Sequence, residues 1–176
     1  SGVAVPVLTT NANFSFPAAE RGEYFFRIAP AAVGDLFARY QLTLTVSDVV
    51  PPSVVSVSLP AEGASSTEII HGLTVIFSEP LLPSTVNSLA NFSLRQSGVD
   101  ELWGTSDDLV YPLTTPTYTT GNTVSLSLVN GPLQPGNTRF AIAATLTDRV
   151  GNPLTPAFTR SFSLGRLGQF QIENRA

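Results

Sequence analysis

The chain has 176 residues, a formal net charge of −4 and only 12% charged side chains, with 43% apolar residues. It holds no Cys, Met or Lys and a single His, its nine basic residues being Arg. This removes Cys nucleophiles, thiolate metal sites, Schiff-base lysines and every motif that needs two histidines. An acidic chain without a basic face is not a nucleic-acid binder. No apolar run reaches the roughly 18 residues of a membrane helix.

In chain order, nearly every element reads as a strand. Tyr24, Phe26 and Ile28 alternate with polar or solvent-side neighbours, as do Tyr40, Leu42, Leu44 and Val46. After Pro51-Pro52 come Val55, Val57 and Leu59, then Leu73, Val75 and Phe77. Pro83 to Ala90 reads as a helix of two turns at most. Val124, Leu126 and Leu128 share one face of a later strand; Phe140, Ile142, Ala144 and Leu146 share one face of the next. Phe158, Phe162 and Leu164 mark the last. Period-2 patterns bounded by Gly, Pro, Asn and Asp are the mark of half-buried antiparallel strands. The 18 Ser and 19 Thr suit the wet faces of such strands. The fold expected is all-β, an antiparallel sandwich preceded by part of another.

The strongest boundary is Ser47-Asp48-Val49-Val50-Pro51-Pro52, where two prolines impose an extended path. A second break follows Gly165. Three pieces are expected: 1–48, holding about four strands of an incomplete sandwich, 49–165, and 166–176 as linker or start of a next module. The chain opens at Ser1 and Gly2 without a start Met and reads as a segment of something longer.

The middle piece carries a series of motifs. Pro51-Pro52-Ser53-Val54-Val55-Ser56-Val57-Ser58-Leu59-Pro60 leads to Leu73-Thr74-Val75-Ile76-Phe77-Ser78-Glu79-Pro80. Leu82-Pro83-Ser84-Thr85-Val86 and Asn91-Phe92-Ser93-Leu94 follow. Pro132-Leu133-Gln134-Pro135-Gly136-Asn137-Thr138-Arg139-Phe140 and Asp148-Arg149-Val150-Gly151-Asn152-Pro153-Leu154 complete the series. Together these resemble the bacterial Ig-like domain of S-layer and other surface proteins, over about 49–165. Residues 1–48 look like the last strands of a bacterial pre-peptidase C-terminal domain. The carrying residues are Arg21-Gly22-Glu23-Tyr24-Phe25-Phe26-Arg27-Ile28 and Tyr40 to Val46. The resemblance implies a non-catalytic, extracellular or cell-surface segment whose partners are neighbouring β domains or copies of itself; a surface glycan is a partner only through the Trp103 loop.

The densest acidic stretch is Gly98-Val99-Asp100-Glu101-Leu102-Trp103-Gly104-Thr105-Ser106-Asp107-Asp108. Calcium takes six to eight oxygens from carboxylates and carbonyls, which a loop of this composition offers. Asp100, Asp107 and Asp108 are the candidate Ca²⁺ ligands, with Glu101 in reserve. The competing reading is a solvated turn whose Asp side chains hold backbone amides. The loop is similar to an insertion in related surface modules in which Asp-Gly and Gly-Thr-x-Asp-Asp recur; Glu101 stands where that pattern has Gly.

Trp103 is the sole Trp, with Tyr111 and Tyr118 beyond it, and a module that binds a surface carbohydrate or a protein through the Trp103 loop is the alternative functional reading. A large aromatic more often anchors its own loop. His71 lacks a Gly-x-Ser-x-Gly elbow and reads as an exposed turn residue. Glu79 is expected to satisfy backbone amides at a turn, and Asp148 to do so in Asp148-Arg149-Val150-Gly151-Asn152. The sequons at Asn13 and Asn91 fall in expected strands and are read as chance matches. A Lys–Asn crosslink is impossible without Lys.

Overall fold

The computed structural model describes Thr43, Thr45 and residues 47–166. The chain divides into two compact units, Ser1–Thr45 and Val46–Ala176. The expected strands of 1–48 and the tail beyond Arg166 lie almost wholly outside the described residues, so only the second unit is described.

Among the described residues, nine strands and little helix build it. In order they are β1 (Val54–Val57), β2 (Ser65–Ser66), β3 (Gly72–Phe77), β4 (Phe92–Gln96), β5 (Leu109–Val110), β6 (Leu113–Thr114), β7 (Thr123–Leu128), β8 (Gly136–Ile142) and β9 (Phe158–Leu164). Between β3 and β4 lie α1 (Pro83–Val86) and a 3₁₀ turn, Leu89–Asn91. Pro83 starts α1, where its missing N–H and fixed φ cost nothing. The stretch expected as one short helix is thus split in two.

One sheet has the order β1-β3-β7-β6 and the other β2-β9-β8-β4-β5. Every pairing is antiparallel except β2 with β9. Alternation decides which side chains face inward. On β3, Leu73, Val75 and Phe77 are buried; on β7, Val124 and Leu126; on β4, Phe92 and Leu94; on β8, Phe140 and Ile142. These two inward faces form one continuous core. Phe77 and Phe140 are fully buried. Truncating either ring to Ala costs about 3–5 kcal/mol. Sheet backbones approach closely at Gly72, where a Cβ would stand 2.6 Å from the Leu126 carbonyl oxygen.

Two expectations about strand faces are corrected. Val55 was expected inward with Val57, yet Val55 is 64% exposed and Val54 packs on the core. A register shift between Val54 and Ser56 breaks the alternation, as a β-bulge does. The strand through Phe140 and Ile142 ends at Ile142, leaving Ala144 exposed in a turn. Leu146 is nevertheless buried, because that turn folds under the sandwich.

Candidate functional site

Two groups of carboxylates stand apart in the fold. The first is the acidic loop, which joins β4 to β5 and reaches back over the second sheet. Asp107 Oδ2 accepts the N–H groups of Val99 (2.7 Å) and Asp100 (3.4 Å), and Oδ1 accepts the Thr105 hydroxyl (2.7 Å). Asp100 Oδ1 accepts Leu102 N–H at 2.9 Å. Asp108 Oδ2 accepts Gly104 N–H at 2.8 Å and lies 3.6 Å from Arg95 Nη1. The Asp108 side chain is 1% exposed. The Thr105 hydroxyl also lies 3.4 Å from Asp100 Oδ1 and 3.5 Å from Asp108 Oδ1, so the three candidate calcium ligands converge on it. The Thr105 hydrogen bond, with the amides, holds the Asp107 carboxyl below its ordinary range.

Local sequence explains this arrangement. A Cβ at Gly98 would fall on the Asp107 carboxylate, so only glycine lets that side chain reach the Val99 amide. Glu101 has φ 56°, in the left-handed region, at the position where the related pattern has Gly. Trp103 is half-buried, with the Arg139 guanidinium carbon 5.9 Å from its ring centroid. Arg139 stands directly across from Arg95 in the β4–β8 register. The loop therefore gives each of two adjacent cations a partner, Asp108 for one and the Trp103 ring for the other. Tyr111 and Tyr118 are buried and cannot extend a platform around Trp103. The Tyr111 hydroxyl donates to Gln96 Oε1, and the Tyr118 hydroxyl accepts Leu81 N–H.

The second group is Asp48, Glu79 and Asp148, each with a carboxylate oxygen within 4.8 Å of the others. They border a cleft of about 150 Å³, together with Pro80, Arg149 and Val150. Asp148 behaves as expected of a turn residue. Its Oδ1 accepts Val150 N–H (3.0 Å), Gly151 N–H (2.7 Å) and Asn152 N–H (2.8 Å), and its Oδ2 accepts Asn152 Nδ2 (2.7 Å). Gly151 closes the turn at φ 102°, a conformation that disfavours any side chain. Burial alone would raise the Asp148 pKa, but the hydrogen bonds from Asn152, Gly151 and Val150 outweigh it, and the net shift is downward.

Asp48 sits in the segment leading into β1, where its Oδ1 accepts Val50 N–H at 2.9 Å. Asn152 Nδ2 also bonds the carbonyl oxygens of Asp48 (3.1 Å) and Val50 (3.4 Å), tying this segment to the turn. Glu79 follows β3 and is brought alongside by the bridge between Leu81 and Asp148. Among the described residues its carboxylate accepts no hydrogen bond, which corrects the expectation that it serves backbone amides. Burial first, then the charges of Asp48 and Asp148, push its carboxyl above the ordinary range. No basic side chain pairs with the three among the described residues; Arg149 donates instead to the Thr120 hydroxyl at 2.7 Å.

Chemically, a trio of oxygens with uncompensated charge suits a hard divalent cation, water supplying the remaining ligands. Glu79 offers both oxygens and Asp48 its Oδ2, while Asp148 retains lone pairs beyond its four hydrogen bonds. Residue spacing gave no sign of this group, because only the fold unites a linker Asp, a strand-end Glu and a turn Asp. Elsewhere His71 is exposed. Asn91, in the second sequon, donates Nδ2 to Thr85 O (2.8 Å) and accepts Thr145 Oγ1 (2.6 Å), so its amide is already occupied. Asn13 lies outside the described residues.

No curated protein matches the chain. Solved structures similar to it include domains 1–6 of the surface layer protein SbsC, at 21% identity and a TM-score of 0.43. That match covers 65% of this chain, which spans 14% of the SbsC chain. PcoC, a methionine-rich copper resistance protein from Escherichia coli, is similar at 14% identity and TM-score 0.48, over 66% of this chain and 100% of that one. CopC from Methylosinus trichosporium OB3b is similar at 10% identity and TM-score 0.45, over 68% and 99%. The family profile described as bacterial Ig-like domain matches residues 48–164, two-thirds of the chain, and coincides with the sandwich described above. The chain belongs to the bacterial Ig-like domain family.

Proposed function

We propose that this chain is a non-catalytic structural segment of a large secreted or cell-surface bacterial protein, its Ig-like module serving as a spacer between functional parts. One observation carries the reading. The polar groups that sequence alone offers as chemistry are, in the acidic loop and the Asp148 turn, turned onto the module's own backbone. A catalytic carboxylate needs a free face toward substrate, whereas these hold turns in shape. Membership in the bacterial Ig-like family supports the same role. Protease treatment of intact cells carrying the parent protein tests it. Loss of the chain's antibody signal without lysis is expected; full protection until lysis would contradict a surface location.

A second reading concerns bracing. The mutual approach of Asp48, Glu79 and Asp148 favours a divalent cation there over one in the acidic loop, where Asp100, Asp107 and Asp108 were candidate calcium ligands. Such an ion would fasten the lead-in segment to the turn that Asn152 already holds. A higher melting midpoint in saturating Ca²⁺ than in chelator, lost in Glu79→Gln, is the expected result. An unchanged midpoint contradicts it. The carbohydrate reading of Trp103 is less well supported, since Arg139 occupies one face of the ring.

A further inference from the structure

We infer that Asn130 is a site of spontaneous backbone chemistry, converting in the folded protein to a mixture of aspartate and isoaspartate. Asn130-Gly131 is the sole Asn-Gly pair in the sequence. Only Val129 separates the pair from the end of β7, and both its residues are exposed. Among the described residues the Gly131 N–H has no hydrogen-bond acceptor, and the Asn130 side chain makes no hydrogen bond. Gly131 has φ 75° and nothing within 4 Å of where a Cβ would stand, so the turn is open around its α-carbon.

The reaction needs only water. The Gly131 nitrogen attacks Asn130 Cγ, a C–N bond forms, and the Cγ–Nδ2 bond breaks. Ammonia leaves, carrying the proton lost from Gly131. Water then opens the cyclic imide at either carbonyl, giving aspartate or a backbone lengthened through the side chain. No oxidation state changes. Both reacting atoms belong to adjacent residues, so the step benefits from intramolecular proximity.

Among the described residues the other asparagines are restrained. Asn87 donates to Tyr118 O and accepts Tyr118 N–H; Asn91 and Asn152 are held as described above. The backbone of Asn137 lies within the β8–β9 ladder. Asn122 accepts the Thr123 hydroxyl at 3.4 Å, and its own carbonyl accepts Phe77 N–H. The Asn130 turn is anchored only on either side, by Val129 N–H to Pro112 O and Leu133 N–H to Ile70 O. The product carboxylate would be new to this sheet, since β1, β3, β6 and β7 contain no charged residue.

The test is to hold the full chain, folded, in warm and mildly alkaline buffer and to map Asp and isoaspartate at every Asn. Residue 130 should convert first, with isoaspartate present, and Asn130→Gln should lose this early product. Conversion at Asn130 no faster than at Asn122 or Asn87, or only after unfolding in urea, would overturn the inference.

Discussion

The two groups of carboxylates are built from the same residue types and reach opposite electrostatic outcomes. In the acidic loop every candidate aspartate accepts backbone or hydroxyl protons, and Asp108 also faces Arg95. In the Asp48–Glu79–Asp148 group only Asp148 is fully supplied, and Glu79 meets two like charges without a donor. Density of acidic residues is therefore a poor guide to where a cation is needed. Satisfaction by the protein's own donors is the better criterion.

This contrast can be broken at several points, the largest effect coming from Asp148. Asp148→Ala removes the acceptor of three amides and of the Asn152 side chain, and frees Asn152 from one of its restraints. A loss of about 2–3 kcal/mol in chemical denaturation is expected. Gly98→Ala comes next. Its methyl displaces the Asp107 carboxylate, so the loop should release Trp103 from Arg139, with about 1–3 kcal/mol of destabilisation and a red-shifted Trp emission. A smaller change of opposite sign is expected for Glu101→Gly. Relief of the left-handed backbone should stabilise the module by up to about 1 kcal/mol, read as a higher melting midpoint.

Acid should separate the groups further. The folded pKa of Glu79 is raised, so its contribution is complete below its ordinary value of 4.5 and is lost as pH rises through the raised value. The folded pKa values of Asp107 and Asp148 are lowered. Their contribution is present above the ordinary 3.8 and disappears as pH falls through the lowered values. In chelator, melting midpoints followed across pH should show a loss above 4.5 that Glu79→Gln removes, and a separate acid loss that it leaves in place.

Much of the fold was legible in the chain. Alternation in Leu73-Val75-Phe77 and Val124-Leu126-Leu128 identified inward faces because half-buried strands impose a period of two. The motifs from Pro51 to Leu154 pointed to the Ig-like family that the profile match establishes. Val55 misled because a bulge resets alternation without a marker residue. The acidic loop was visible as composition, whereas the left-handed backbone at Glu101, which keeps the turn of the related pattern without its Gly, was not. That its aspartates hold backbone amides was one of the two readings left open, but which donors they take was not visible, since Thr105 and the Val99 amide carry no distinguishing pattern. The second group was invisible altogether, its members brought together by the pairing of Leu81 with Asp148 and by the Asn152 tether to the lead-in segment.

The most direct test of the contrast compares Glu79→Gln and Asp108→Asn by thermal melting in chelator at neutral pH. Neutralising Glu79 should leave the midpoint unchanged or raise it, because repulsion from Asp48 and Asp148 is removed. Neutralising Asp108 should lower it, by about 1 kcal/mol in stability, because Arg95 and the Gly104 amide lose a charged acceptor. A midpoint lowered by Glu79→Gln, or unaffected by Asp108→Asn, would contradict the account.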